Sequence, residues 1–298
     1  MTIIETQNLR FCFKKQEILK DICLSVPEGA IYGYLGQNGA GKTTTIRILL
    51  GLLPFLQGKV FFHGKEFQPH RLSILTKVGA LVGGPSYYPD LTALENLQCL
   101  DCLYQIGKNR MNEVLRWVGL EVAANKKVGK FSTGMKQRLG IAMAIYHDPD
   151  ILFLDEPMNG LDPEGVHDIR HLMLRLHQEG KTIFCSSHIL SEMDKICTHI
   201  GILKEGSLLY DGTLVDLVKK VNRHIHVKCA DAEALATFLE THGVASDLYI
   251  SGVLSVITDD TLTFQKLLEL LIGSGITIDA VESDASSLES VFLKMMSV

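Results

Sequence analysis

The chain has 298 residues, of which 46% are hydrophobic and 21% charged, and its formal net charge is −5 at pH 7. This length suits about two domains of ~150 residues, and the composition is typical of a globular protein rather than a disordered one. The negative net charge argues against nucleic acid as a partner, because nucleic-acid-binding proteins usually present a basic face.

The first two thirds of the chain alternate short apolar runs with helical patterns. Strands are predicted at Ile18–Leu24, Ala30–Leu35, Lys59–Phe62, Val78–Val82, Ile151–Leu154, Thr182–Ser186 and Ile200–Leu203. Helices are predicted at Lys42–Leu52, Leu94–Gln105, Met111–Val118 and Gly134–Ile145. This alternation predicts an α/β fold with a largely parallel sheet. The mostly helical stretch at about 84–146 interrupts the alternation and is interpreted as an inserted subdomain.

The pattern resets after Gly212. Strands are predicted at Ile225–Lys228 and Thr277–Val281, and a strand or hairpin at Leu248–Thr258. Helices are predicted at Asp231–Thr241, Leu262–Ile272 and Leu288–Met296. Residues 222–298 also carry four Lys or Arg against eleven Asp or Glu. We therefore expect two units, 1–215 and 222–298, of which the second is a small acidic α+β module.

A glycine-rich segment lies between the strand that ends at Leu35 and the helix that begins at Lys42. It matches the phosphate-loop pattern G-x-x-x-x-G-K-[ST] in the residues Gly36, Gln37, Asn38, Gly39, Ala40, Gly41, Lys42, Thr43 and Thr44. The glycines let backbone amides approach phosphate oxygens, and the helix presents its positive N-terminus to the anion. Lys42 is expected to reach the terminal phosphates, and the Thr43 hydroxyl can ligate Mg²⁺.

Two carboxylates follow the buried strand at Ile151–Leu154. Asp155 is placed to hold Mg²⁺, and Glu156 is placed to orient and deprotonate an attacking water. An acidic pair at a strand end is common by itself. In a chain that also holds a phosphate loop, the pair predicts a catalytic site for nucleotide hydrolysis.

Three further segments lie around the acidic pair: Phe131-Ser-Thr-Gly-Met-Lys-Gln-Arg138 before it, and Asn159-Gly-Leu-Asp162 and Ser186-Ser-His188 after it. With the phosphate loop and the acidic pair, they resemble the ATP-binding subunits of ABC transporters over about residues 1–215. The resemblance implies a P-loop NTPase of the ABC type, with a mostly parallel core sheet, antiparallel N-terminal strands and an inserted helical subdomain. It also implies ATP and Mg²⁺ as ligands.

The resemblance implies roles for individual residues. Phe13 would stack on adenine, unless it is a core residue of the first strand, and His188 would hydrogen-bond the γ-phosphate. Asp162 would lie at a subunit interface. The signature residues Ser132, Thr133, Gly134 and Met135 would close over the ATP of a second subunit. Since the chain holds one phosphate loop, a homodimer or a dimer with a sister subunit is implied.

Three positions depart from the pattern of the family. Thr133 stands where glycine is usual in the signature, and Met135 stands where glutamine is usual. Gly83 stands where the family has a glutamine or glutamate that senses Mg²⁺ and the attacking water. We therefore expect Mg²⁺ to be held by Thr43, Asp155 and water, and turnover to be slow.

Residues 84–97 and 130–144 resemble bacterial exporters of the bacitracin-resistance and lantibiotic-immunity type. The resemblance implies an ATPase that powers export of an antimicrobial peptide or antibiotic through a separate membrane permease. Tyr87, Tyr88 and Leu91 are candidates for contact with that permease; alternatively, their loop packs on its own subdomain. The sequence offers no run of ~18–20 apolar residues and no secretory leader. We therefore expect a cytoplasmic protein, held at the inner face of the membrane by the permease.

Two other functions remain open from the sequence. One is a soluble ABC ATPase that acts on ribosomes or DNA, although such proteins usually have two nucleotide domains or long coiled-coil insertions. The other is a regulatory subunit that binds nucleotide and hydrolyses it slowly, which Gly83 and Thr133 suggest and which Glu156 and His188 argue against.

Overall fold

The computed structural model describes residues 1–220, 223–248, 253–258, 262–283 and 288–297. Contacts within the chain divide it into two compact units, Met1–Leu214 and Val215–Val298. Among the helices of the described residues, none combines the length and the apolar character needed to cross a membrane.

The first unit contains eleven strands among its residues. They are β1 (Thr2–Phe13), β2 (Gln16–Ile22), β3 (Ser25–Pro27), β4 (Ile31–Gly36), β5 (Gln57–Phe62), β6 (Lys65–Glu66), β7 (Val78–Leu81), β8 (Ile151–Asp155), β9 (Thr182–Ser187), β10 (His199–Lys204) and β11 (Ser207–Thr213). The helices of this unit are α1 (Lys42–Leu49), α2 (Phe67–Leu75), α3 (Ala93–Tyr104), α4 (Lys108–Trp117), α5 (Thr133–Ile145), α6 (Pro163–Gln178) and α7 (Leu190–Met193).

Two sheets form the first unit. The larger has the strand order β11-β10-β4-β9-β8-β7, and every neighbouring pair in it is parallel except β10 with the edge strand β11. The smaller sheet is antiparallel and follows the order β2-β1-β5-β6, with β3 paired to β1. The predicted parallel core and the implied antiparallel N-terminal strands are thus confirmed.

The core of this unit explains why its central strands form. Every residue of β4, β8 and β9 is buried, as is usual for parallel strands that are covered on both faces. The rings of Tyr34 on β4, Phe153 on β8 and Phe184 on β9 pack within one hydrophobic cluster. Since parallel strands end at a common edge, the residues that follow β4, β8 and β9 meet there.

The second unit is a four-stranded antiparallel sheet with helices. Its elements are α8 (Leu214–Lys220), β12 (Arg223–Cys229), α9 (Ala232–Thr241), β13 (Ser246–Leu248), β14 (Val253–Thr258), α10 (Phe264–Gly273), β15 (Ile278–Ser283) and α11 (Leu288–Ser297). The strand order is β13-β14-β12-β15. Ile225 pairs with Val256 and Val227 with Leu254, and these four buried residues share one core with buried leucines of α9 and α10. The predicted element at Leu248–Thr258 is a pair of antiparallel strands, although residues 249–252 lie outside the described part of the chain.

Candidate active site

The loop between β4 and α1 requires glycine at three positions. Gly39 and Gly41 have φ values of +84° and +112°, in the left-handed region that other residues rarely adopt. A Cβ on Gly36 would lie 2.5 Å from the carbonyl oxygen of Leu203, and one on Gly41 would lie 2.7 Å from a methyl group of Leu19. The tight packing beneath the loop and its backbone conformation therefore explain the glycines of the pattern.

The loop leaves main-chain amides available at the start of α1. Gly41 is the N-cap of α1, so no side chain occupies the capping position, and the first turn holds no acidic residue. Gln37, Asn38 and Gly39 are exposed, Ala40 is buried and Thr44 is half-buried. An uncapped helix N-terminus that follows an exposed glycine loop favours a bound anion.

Lys42 is held under this loop. Its ammonium donates to the carbonyl oxygen of Gly36 at 2.7 Å and lies 3.4 Å from Oε1 of Glu156. The side chain is only 7% exposed, and the carbonyl and carboxylate oxygens satisfy the charge in this buried position. The Lys42 ammonium thus lies between the glycine loop and the Glu156 carboxylate.

The Asp155 carboxylate accepts hydrogen bonds from three sides. Thr43 Oγ1 donates to its Oδ2 at 2.9 Å, Ser186 Oγ donates to its Oδ1 at 2.6 Å, and the amide of Gly83 donates to Oδ2 at 3.3 Å. Asp155 is only 6% exposed, so these donors compensate the desolvation of its charge. The predicted pair Thr43 and Asp155 therefore meets next to the phosphate loop.

Glu156 lies at the centre of the candidate site. Its φ is +50°, and its amide donates to the carbonyl oxygen of Ser186 at 3.2 Å and to Ser186 Oγ at 3.0 Å. One carboxylate oxygen lies 2.7 Å from Nδ1 of His188, and the other lies 3.4 Å from the ammonium of Lys42. Two residues that the sequence predicts to act at the site, Lys42 at the start of α1 and His188 after β9, thus converge on the carboxylate of a third, Glu156.

Two residues of this site received no role from the sequence. Ser186 hydrogen-bonds both the Asp155 carboxylate and the Glu156 amide. Gln137 is 7% exposed and donates from Nε2 to the carbonyl oxygens of Glu156 and Pro157, at 3.3 Å each. Both lie within the quoted segments 131–138 and 186–188, but only the tertiary structure brings them to the acidic pair.

The signature loop lies at the start of α5. Ser132 is exposed and is the N-cap of the helix, because its Oγ accepts a hydrogen bond from the Met135 amide at 3.2 Å. The Ser132 hydroxyl thus caps the helix that begins at the next residue. Thr133 is exposed, and Gly134 and Met135 are half-buried.

The same loop packs on the segment that follows the acidic pair. A Cβ on Gly134 would lie 3.2 Å from a methyl group of Leu161, and one on Gly160 would lie 3.4 Å from the Thr133 methyl group. Asp162 ends this segment, is exposed, and caps α6 through Oδ1, which accepts from the Gly165 amide at 3.0 Å. The extra side chain of Thr133 is thus accommodated next to a glycine.

Phe13 ends β1 and is 63% exposed, with the ammonium of Lys14 6.0 Å from its ring centroid. The alternative that Phe13 is a core residue is therefore wrong. An exposed aromatic ring can offer its face to a planar ligand.

Gly83 has no side chain and contacts the candidate site through its main chain. Its φ is +68°, and its amide donates to Asp155. A Cβ at this position would lie 3.2 Å from Nη2 of Arg47 on α1. Gly83 is adjacent in the chain to Val82 and Gly84, which line a separate groove.

This groove has a volume of about 360 Å³. It lies between β7 and helices α3 and α5, and its lining includes Leu52, Leu81, Leu100, Tyr104, Met143 and His147. Most of the lining side chains are apolar, and Leu52 is 61% exposed. An exposed apolar groove of this kind is typical of a binding surface for another chain.

The nearby loop that contains Tyr87, Tyr88 and Leu91 is partly tied to its own subdomain. Asn96 hydrogen-bonds the amide and the carbonyl of Tyr88, and the Val128 amide donates to the Leu91 carbonyl. The Tyr88 side chain is 62% exposed, whereas Tyr87 and Leu91 are half-buried. The loop is therefore anchored through its main chain and leaves one aromatic ring free.

Known proteins resemble this chain in sequence and in fold. A family model described as ABC transporter matches residues 19–159. The bacitracin transport ATP-binding protein BcrA of Bacillus licheniformis is 40% identical to this chain over 99% of it and 97% of its own length. The lantibiotic transport ATP-binding protein SrtF of Streptococcus pyogenes is 37% identical, over 71% of this chain and 93% of its own.

Solved structures of ATP-binding subunits have a fold similar to that of this chain. An ATP-binding subunit of an ABC transporter superimposes with a TM-score of 0.67 at 30% identity, covering 72% of this chain and 92% of its own. A dimeric ATP-binding cassette in a post-hydrolysis state, bound to ADP and Pi, superimposes with a TM-score of 0.66 at 26% identity, covering 71% of this chain and 99% of its own.

The fold and the phosphate loop define a P-loop nucleotide-binding protein. The extended similarity goes further: this chain belongs to the ABC transporter family, as an ATP-binding and ATP-hydrolysing subunit.

Proposed function

We propose that this chain powers the export of a peptide antibiotic or a related antimicrobial molecule through a separate membrane permease. Support for the cargo class comes from relatives named for bacitracin and lantibiotic transport. The observation that carries the catalytic part is the position of the Glu156 carboxylate, between His188 at 2.7 Å and Lys42 at 3.4 Å.

ATP would bind across the phosphate loop. The amides of Gly36–Thr44 and the start of α1 would surround the phosphates, and Lys42 would exchange its contact with Glu156 for the terminal phosphate oxygens. Phe13, which is exposed at the end of β1, would stack on the adenine ring.

The residues beside the loop fit a magnesium ion. Mg²⁺ prefers oxygen ligands, and the Thr43 hydroxyl and the Asp155 carboxylate already lie 2.9 Å apart. These two residues would hold the ion together with water. When bound, Mg²⁺ supplies charge that balances the phosphate oxygens. Ser186 would keep the Asp155 carboxylate oriented.

Glu156 would act as the general base for hydrolysis. A water oxygen forms a bond to the γ-phosphorus, and the bond from that phosphorus to the bridging β–γ oxygen breaks. The proton of the water passes to the Glu156 carboxylate, and ADP leaves with the bonding electrons. His188 would hydrogen-bond the γ-phosphate and steady the carboxylate it already contacts.

Two subunits would form each complete site. Ser132, Thr133, Gly134 and Met135 lie at the N-terminus of α5, where an exposed Ser132 and the helix dipole can receive a phosphate from a second subunit. Asp162, exposed at the start of α6, would lie at the same interface. The second subunit would be another copy of this chain or a sister ATP-binding subunit.

The permease would hold the protein at the inner face of the membrane. We propose that a cytoplasmic segment of the permease binds in the groove beside β7, with the exposed ring of Tyr88 as a neighbouring contact. The groove borders Gly84, next to Gly83, whose amide reaches Asp155, so nucleotide and permease would act on one short segment.

We further propose that residues 1–215 form the ATP-binding domain and residues 222–298 an accessory module for dimer contact or regulation. A slow regulatory subunit is the second candidate function. It is favoured by Gly83, which offers Asp155 and Mg²⁺ no side chain.

A pull-down tests the partner. Tagged Glu156→Gln protein is captured with ATP from detergent-solubilised membranes, and the bound chains are identified by mass spectrometry. We expect a stoichiometric polytopic permease. Ribosomal proteins, or a complete lack of membrane partners, would contradict the exporter assignment.

A resistance assay tests the cargo class. Co-expression of the wild-type chain with the identified permease should raise the resistance of a sensitive host to bacitracin or a lantibiotic, whereas co-expression of the Glu156→Gln variant should not.

A further inference from the structure

Gln137 connects the signature helix to the main chain of Glu156. It lies on α5, five residues after Ser132, and is 7% exposed. Its Nε2 donates to the carbonyl oxygens of Glu156 and Pro157, at 3.3 Å each. Since two acceptors face the same end of the amide, only the NH₂ group fits there.

The carbonyl held by Gln137 belongs to a residue with an unusual backbone. Glu156 has a φ of +50°, in the left-handed region that is unfavourable for a residue other than glycine and persists only when neighbouring groups hold it. Ser186 holds the amide side of Glu156, and Gln137 holds the carbonyl side. Both peptide planes that set the direction of the carboxylate are thus fixed by buried side chains.

The same helix contacts the segment after Glu156 in two more places. A Cβ on Gly134 would lie 3.2 Å from a methyl group of Leu161, and one on Gly160 would lie 3.4 Å from the Thr133 methyl group, so little space separates the two segments there. Gln137, one turn further along α5, adds two hydrogen bonds to this segment. The signature helix and residues 156–161 therefore form one packed assembly within the subunit.

We infer that Gln137 is a positioning residue for hydrolysis, which holds the Glu156 carboxylate in its reactive direction and joins it to the signature helix. The inference rests on the proposed role of Glu156 as general base. Ser132 would contact the nucleotide of one composite site, while Glu156 acts on the nucleotide of the other. Gln137 thereby links the two sites through a single subunit.

The test compares Gln137→Leu, which removes the donor at similar volume, with Gln137→Lys, which keeps an N–H donor for both carbonyls. Gln178→Leu, the same chemical change on the exposed C-terminal end of α6, is the control. The full chain is assayed for kcat and KM of ATP hydrolysis. Binding of Mg·ATP is measured in each variant with Glu156→Gln added.

We expect Gln137→Leu to lower kcat about 10- to 100-fold, because a misplacement near 1 Å can cost that much, with KM and Mg·ATP affinity within about twofold of wild type. Gln137→Lys should recover most of the rate, and Gln178→Leu should match wild type. An unchanged kcat in Gln137→Leu would overturn the inference. So would an equal loss of rate and of Mg·ATP affinity, or a Lys variant no better than the Leu variant, since both indicate a packing role.

A different set of rates is expected if the proposed function is wrong. In that case wild type and Gln178→Leu would turn over ATP no faster than Glu156→Gln, and the inference about Gln137 would be overturned with it.

Discussion

The Nδ1 atom of His188 lies 2.7 Å from a carboxylate oxygen of Glu156, although 32 positions separate the two residues in the chain. His188 follows β9 and Glu156 follows β8, and these strands are parallel neighbours. The contact therefore results from the common edge at which the parallel strands end. It brings a hydrogen-bond donor to the carboxylate proposed as general base.

Replacing His188 by Ala should reduce kcat about 10²- to 10³-fold, the usual loss when one donor to a transferring group is removed. The affinity for ATP should stay within a few-fold of the wild-type value, because the phosphate loop and Lys42 are intact. Steady-state kinetics and equilibrium nucleotide binding measure the two quantities. His70→Ala, an exposed histidine on α2, should behave as wild type. A His188→Ala enzyme with full kcat would show that the Glu156 contact has no catalytic role.

Thr43 offers a clean test of the metal site. Thr43→Val keeps the shape of the side chain but removes the hydroxyl that lies 2.9 Å from Asp155. We expect the Mg²⁺ concentration for half-maximal ATP hydrolysis to rise at least ~10-fold, as is usual when a metal site loses a supporting oxygen. Thr43→Ser, which retains the hydroxyl, should shift it little. Equal Mg²⁺ titrations for the Val and Ser variants would exclude Thr43 as a ligand.

Gly83 tests whether a side chain at this position changes turnover. Gly83→Glu adds a carboxylate beside Asp155, and Gly83→Ala adds the same left-handed strain at φ +68° without the charge. We expect the Glu variant to differ from the Ala variant in rate or in Mg²⁺ dependence. If both variants show the same rate and the same Mg²⁺ titration, the missing side chain does not explain slow turnover.

Two substitutions of Ser132 distinguish its role as a helix cap from its proposed contact with the nucleotide of a second subunit. Ser132→Ala removes the cap, which costs about 1 kcal/mol of stability, whereas Ser132→Asp caps a helix about as well as serine. The aspartate, however, would repel the phosphate of the partner's nucleotide. We expect Ser132→Asp to keep the melting temperature but to lose ATP hydrolysis and ATP-induced dimerisation, measured by gel filtration in the Glu156→Gln background. Dimerisation of Ser132→Asp with ATP would contradict the shared site.

Some elements of the fold were predictable from local pattern and others were not. The strands β4, β8 and β9 are continuous apolar runs because both of their faces are buried, and the sequence predicts all three. The resemblance implies antiparallel N-terminal strands, but the local pattern predicts no bounds for β1, because its burial is irregular and its pairing with β2 is interrupted by register shifts. The local pattern does not predict the edge strand β11 either, since none of its residues is fully buried.

Some features of the candidate site are likewise predictable from local pattern, and others are not. The phosphate loop and the acidic pair are local patterns with a known chemistry, so the sequence suffices to propose them. The contact from Gly83 to Asp155 spans 72 positions, and those from Gln137 to Glu156 and from Ser186 to Asp155 span 19 and 31. Such contacts depend on strand order and helix packing, which no local pattern specifies.

Whether Glu156 takes the proton of the attacking water is tested by comparing ATP turnover of the wild-type chain with that of Glu156→Gln, with Mg·ATP binding measured on both. We expect the variant to bind Mg·ATP as tightly as wild type but to hydrolyse it at least ~100-fold more slowly, because the general base is lost. Equal rates for the two proteins would show that Glu156 does not take the proton of the attacking water, and would contradict the proposed mechanism.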